Sequence, residues 1–125
     1  MQEMKKGSLG MLALQLLHER PDYGYGLCAR LRERSAGAVS FEDAAIYPLL
    51  HEYERRGLLE GYWESASEAS STPALEVSRK GPRRRYYRVT PAGLATLRAS
   101  IAEWNSFAQG VARILGDSGV VASGD

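Results

Sequence analysis

At 125 residues the chain has room for one domain with a sizeable core and none for a separate catalytic domain. Hydrophobic residues make up 44% and charged residues 25%, the balance of a soluble globular protein. The formal net charge of +1 excludes any argument for nucleic-acid binding from total charge, and the lone cysteine, Cys28, excludes an intrachain disulfide framework.

No N-terminal stretch reads as a signal peptide, and the apolar run over residues 9–17 is far too short to span a bilayer. A cytoplasmic protein with no membrane role is expected. Ser8 is placed to cap a first helix over residues 9–19, stopped before Pro21. Leu9, Met11, Leu12, Leu14, Leu16 and Leu17 leave that helix almost no polar face, which predicts burial from several sides. A second helix is predicted over residues 23–34, with Leu27 and Leu31 inward and Arg30, Arg32 and Arg34 in solvent. Ser35, Ala36 and Gly37 then form a turn.

The third helix is expected to start after Ser40, with Asp43 three residues on as a capping-box-like pair. Ile46, Leu49, Leu50 and Tyr53 form its apolar stripe. The opposite face carries Ala44, Pro48, His51 and Arg55, with Tyr47 on the flank. Pro48 removes the bond to the Ala44 carbonyl and should bend the helix, and Gly57 should stop it. Strands are predicted over residues 59–64 and 84–89, the second alternating Arg84, Tyr86 and Arg88 with Arg85, Tyr87 and Val89. Residues 65–82 lack periodicity and are expected to form a mobile tip.

Net charge hides a local concentration. Arg79, Lys80, Arg83, Arg84, Arg85 and Arg88 put six of the sixteen basic residues into ten positions. A capped helix that leads into a cationic two-stranded ribbon is how a winged helix-turn-helix presents itself to DNA. The helix face offers Tyr47, Pro48, His51 and Arg55, and the wing offers Lys80, Arg83, Arg84 and Arg85, as cations and donors for phosphates and base edges. Ala44 and Ala45 keep the helix entrance small enough to approach a base edge closely. The competing reading is a small domain whose arginines are only solvated, or a winged-helix module that uses its long tip to bind another protein.

Thr90 followed by Pro91 is a helix start, a capping hydroxyl before proline at the first helical position. From there Leu94, Leu97, Ile101, Trp104, Ala108, Val111 and Leu115 follow spacings of three and four, a coiled-coil-like seam ended by Gly116. The seam either covers the domain's own core or packs on a second copy through Ile101, Trp104, Ala108, Val111 and Leu115. One small domain offers too little surface for all of it, which favours the second copy. The expected organisation is therefore a DNA-binding domain over residues 1–90, a dimerisation helix over 91–116 and a frayed tail over 117–125. The fold class is mainly α: a winged helix-turn-helix with a two-stranded β wing and a C-terminal dimerisation helix.

Chemistry finds little support. His18 and His51 are thirty-three residues apart without a carboxylate cluster, Cys28 has no partner nearby in sequence, and Gly24-Tyr25-Gly26 lacks the third glycine of a dinucleotide loop. Neither an enzyme nor a cofactor is expected.

Four segments together resemble the PadR family of winged-helix regulators over roughly residues 8–115. They are Tyr23-Gly24-Tyr25-Gly26, then Ile46-Tyr47-Pro48, then Glu54-Arg55-Arg56-Gly57-Leu58-Leu59, and last the stretch Gly-Pro-Arg-Arg-Arg-Tyr-Tyr-Arg-Val-Thr-Pro-Ala-Gly over residues 81–93. The resemblance implies a homodimer, a pseudo-palindromic operator in double-stranded DNA, and repression relieved by a small molecule. It implies that Tyr47 contacts the DNA backbone and that Arg83 and Arg84 lie against the DNA. It also accommodates Pro48, which the family tolerates. The single C-terminal helix resembles the short branch of the family. The multidrug-sensing members of that branch carry a tryptophan at the place of Trp104, where two copies sandwich flat aromatic ligands. Trp104 is thus either a dimer anchor alone or a ligand-stacking residue as well. The chain departs from the pattern at Ala45, where threonine is common, at Tyr53, where leucine is common, and in its lengthened wing tip.

Overall fold

The computed structural model describes residues 2–64 and 84–116. Among the described residues, four helices and three short strands follow in the order α1 (Gln2–Glu19), β1 (Asp22–Tyr23), α2 (Gly24–Arg34), α3 (Asp43–Arg55), β2 (Leu59–Trp63), β3 (Arg85–Val89) and α4 (Pro91–Leu115). The strands make one antiparallel sheet in the order β1-β3-β2, with Leu59 opposite Val89 and Trp63 opposite Arg85. This is the mainly helical winged helix-turn-helix expected from the sequence, with a third strand added to the wing pair. The expected mobile tip, with Lys80 and Arg83, lies outside the described residues.

The core explains the helix faces. Leu14 and Leu17 of α1, Leu27 and Leu31 of α2, Ile46 and Leu50 of α3, Tyr87 of β3 and Leu97 of α4 are buried in one cluster. Each of the leucine and isoleucine side chains contributes about 1.5–3 kcal/mol by leaving water. For α3 the consequence is a fixed rotation: with Ile46 and Leu50 locked inward and Leu49 and Tyr53 half-buried beside them, Ala44, Pro48, His51 and Arg55 remain outside.

Several expectations need correction. α1 begins at Gln2, so Ser8 lies inside the helix and does not cap it. Residues 2–6 are Gln, Glu, Met, Lys and Lys, all good helix formers, and they carry the helix past the capping signal. α2 starts at Gly24, because Asp22 and Tyr23 are spent on β1, where they pair with Tyr87 and Tyr86. Arg30 is largely withdrawn from solvent. Its guanidinium donates to Asp22 Oδ2 at 3.0 Å, to the Leu16 carbonyl at 2.7 Å and to the Arg20 carbonyl at 3.3 Å. A cation is favoured there because the carbonyl end of α1 carries partial negative charge, and Arg30 adds a second donor to a Leu16 carbonyl that already accepts from the Arg20 amide. The Ser40 start for α3 also fails: Glu42 is the N-cap residue, it makes no side-chain capping bond, and the helix begins at Asp43. Pro48 sits inside an uninterrupted α3, on the exposed face, where the carbonyl it leaves unpaired can meet water.

The exit from α3 is built as the sequence implies. Gly57 has φ +79°, a left-handed conformation that side chains with a Cβ disfavour. The Leu58 amide donates to the Tyr53 carbonyl at 2.9 Å and the Gly57 amide to the Glu54 carbonyl at 3.0 Å, the two bonds of a Schellman stop. At α4, the Thr90 hydroxyl accepts from the Gly93 amide at 3.0 Å and donates to the Gly57 carbonyl at 2.6 Å, and Pro91 opens the helix. One residue therefore fastens the start of α4 to the end of α3.

Candidate nucleic-acid interface

The core leaves α3 with a small-residue entrance, Ala44 and Ala45, and an exposed ridge of Pro48, His51 and Arg55. Tyr47 stands on the flank, 39% exposed, with its ring against the first residue of α2 and 6.4 Å from the His51 ring at an interplanar angle of 44°. Arg55 is exposed but occupied: its guanidinium donates to both Glu52 oxygens, at 3.1 and 2.6 Å. That hydrogen bonding holds the Glu52 carboxyl below the usual carboxylate range and raises Arg55 further above its own. An anion that takes Arg55 must displace Glu52, a cheap exchange for an exposed pair one helical turn long.

The strand arginines are more engaged than the sequence suggested. Arg84, outside β3, donates its backbone N–H to Glu64 Oε1 at 3.0 Å, and its guanidinium lies 5.1 Å from the Tyr23 ring centre and 3.7 Å from Glu64 Oε1. Arg85 donates to Glu54 Oε2 of α3 at 2.8 Å and lies 5.1 Å from the Trp63 ring centre. Arg88 pairs with Glu60 at 3.2 Å and sits over Tyr62 at 4.1 Å. Each charge is thus held against a carboxylate and an aromatic face, which fixes its position and lowers the net field of the strands. The counter-ions Glu54, Glu60 and Glu64 were not singled out from sequence. Pairing register would have found two of them: Glu60 lies opposite Arg88, and the Glu64 amide continues the ladder to the Arg84 carbonyl at 2.8 Å. Near this group Tyr87 is buried, and desolvation, reinforced by Glu54, pushes its hydroxyl above the usual tyrosine value.

α4 divides into two stretches. Leu94 and Leu97 pack into the domain core, while Ile101 and Trp104, both 37% exposed, and Leu115, 46% exposed, stand largely outside it. Ala108 is exposed and Val111 is half-buried. Phe107 at 52% and Ile114 at 86% extend this apolar surface, and the Trp104 and Phe107 rings are 6.0 Å apart. The seam of threes and fours passed over both residues because they lie beside it; a count of large apolar residues in the last four turns would have included them.

His18 and His51 are exposed on different helices and Cys28 is buried in the core. Among the described residues no group of three or more His, Cys, Asp or Glu could hold a metal ion, and no helix is long and apolar enough to cross a membrane.

The pattern of the transcriptional regulator PadR-like family matches residues 13–99. A crystal structure of a PadR family transcriptional regulator from Eggerthella lenta is 32% identical, covers 93% of this chain and 88% of its own, and superposes with a TM-score of 0.71. A PadR-like transcriptional regulator from Bacillus cereus is 26% identical, covers 90% of this chain and 96% of its own, with a TM-score of 0.69. Bacillus subtilis PadR in complex with operator DNA shares the fold at a TM-score of 0.60 and 18% identity, over 74% of this chain and 46% of its own. An uncharacterised protein from Lysinibacillus sphaericus is 26% identical over 99 residues, 79% of this chain and 80% of that one. The exposed ridge of α3, the sheet of braced arginines beside it and the family match lead to one assignment: the chain belongs to the PadR-like family of transcriptional regulators, which are not enzymes.

Proposed function

We propose that the protein is a cytoplasmic, dimeric, sequence-specific DNA-binding repressor, with a DNA-binding domain over residues 1–90 and a dimerisation helix over residues 91–116. The observation that carries the reading is the fixed rotation of α3, which turns Ala44, Ala45, Pro48, His51 and Arg55 outward while its stop at Gly57 leads directly into the wing. A helix so presented suits the major groove, with His51 at base edges and Tyr47 and Arg55 at phosphates. Lys80 and Arg83 would serve as further phosphate contacts in the wing, and Arg84 and Arg85 as braced ones. The Bacillus subtilis relative of the same fold, solved on operator DNA, is consistent with this use of the fold.

Dimerisation is supported by the outer half of α4, where Ile101, Trp104, Phe107, Ile114 and Leu115 leave large apolar surface in water. Burial against a second copy is the ordinary fate of such a stripe on a helix. Two Trp104 rings brought near a dimer axis would offer faces for a planar aromatic ligand. Such a ligand would relieve repression to the extent that it prefers a helix spacing that fits the operator poorly. The test of the reading is selection from a pool of random duplexes. Enrichment of an inverted repeat, with half-sites about one helical turn apart or a multiple of it, is the expected result. A pool that remains random after repeated rounds would contradict it, and capture of a protein partner instead would favour the interaction-module reading.

A further inference from the structure

Gly24 opens α2 and is buried, and its backbone is not left-handed. Conformation therefore does not call for glycine here, and alanine is the better helix former. Space does call for it. A methyl group on Gly24 would stand 2.6 Å from Tyr47 Cε1, 2.7 Å from Cζ and 3.0 Å from the hydroxyl oxygen. The distal edge of the Tyr47 ring thus lies directly on the backbone of the first residue of α2. The centre of the same ring lies 6.4 Å from that of His51. Tyr47 thus touches the start of α2 and neighbours a residue of the exposed ridge of α3.

We propose that Gly24 is a positioning residue for DNA recognition: its missing side chain seats the Tyr47 ring, and through that ring it sets where the Tyr47 hydroxyl and the neighbouring His51 meet DNA. The proposal rests on the DNA-binding reading above. Ordinary contact between carbon atoms is about 3.5–4.0 Å, so an added methyl group must drive the ring back by about 1 Å. Binding groups must be held within about 0.5 Å to work, so a displacement of that size matters. Tyr47 cannot absorb it by bending its tip, because the clash falls on the rigid ring. The ring must swing as a whole.

A double-mutant cycle measured on the full chain with a duplex selected by the wild-type protein tests this. Gly24→Ala is expected to keep the helical content and weaken the duplex by about ten-fold, the scale of one lost hydrogen bond to a charged group. Tyr47→Ala should weaken it similarly. The combined Gly24→Ala, Tyr47→Ala protein should bind no worse than Tyr47→Ala alone, because without the ring the added methyl group has nothing to displace. Unchanged affinity in Gly24→Ala, or two losses that multiply in the double variant, would overturn the proposal. If Gly24→Ala alone fails to fold, recovery of a folded double variant that binds like Tyr47→Ala supports it, and a double variant that also stays unfolded overturns it. Wild-type protein that selects no duplex defeats the DNA-binding reading itself, and the positioning role falls with it.

Discussion

Glu19 shows how a single side chain at the end of a helix is committed. It accepts from Arg34 and from the Gln15 amide at 2.9 Å, and the Arg30 guanidinium lies 3.9 Å away. The Arg34 hydrogen bond, then that of Gln15, hold its carboxyl down from the ordinary 4.5 to about 2. A carboxylate whose folded value is depressed adds stability that is present above the unfolded value and is lost as pH falls through the folded one. The contribution is small, because the pair is open to solvent and screened by salt. Melting temperatures of wild type and Glu19→Gln should therefore differ slightly at neutral pH, with wild type higher. The gap should close as pH falls from about 4.5 toward about 2. A gap that stays constant across this range would show that Glu19 acts by packing and not by charge.

At the scale of elements, α3 and α4 were legible in the sequence because each carries redundant signals. Ile46 and Leu50 give α3 its inner face and Gly57 its stop, while Thr90 and Pro91 begin α4 at the residues that do so in the structure. β1 was not legible: two residues between Pro21 and a helix hold no periodicity, and only pairing with Tyr86 and Tyr87 makes them a strand. The Arg85–Glu54 pair was hidden for the same reason, since it joins residues thirty-one positions apart. The apolar stripe of α4 was legible in its period but not in its width, which Phe107 and Ile114 extend. That stripe carries a prediction of its own. Planar dyes should quench the fluorescence of Trp104 more than that of Trp63, and Trp104→Ala should remain dimeric while losing about ten-fold in dye affinity, the value of one stacking contact of ~1.5 kcal/mol. Equal dye binding by the variant would leave Trp104 as packing alone.

Across the whole molecule, the Thr90 joint turns separate elements into a linked frame. Its hydroxyl donates to the Gly57 carbonyl and its amide donates to the Leu58 carbonyl at 3.1 Å, so α3, the wing and α4 meet at one point. In a dimer built on α4, the spacing of the two recognition helices would follow from that joint. The charge distribution fits the same picture: with a net charge of only +1, attraction to DNA must come from local cations, several of them braced by Glu52, Glu54, Glu60 and Glu64. The most direct test is the binding of wild-type protein to its selected duplex as a function of salt, with stoichiometry read by sedimentation. Two chains per duplex and an affinity that falls by orders of magnitude between about 50 and 200 mM salt are predicted, because phosphate contacts release counter-ions. One chain per duplex, or binding indifferent to salt, would contradict a dimer that grips DNA through α3 and the wing.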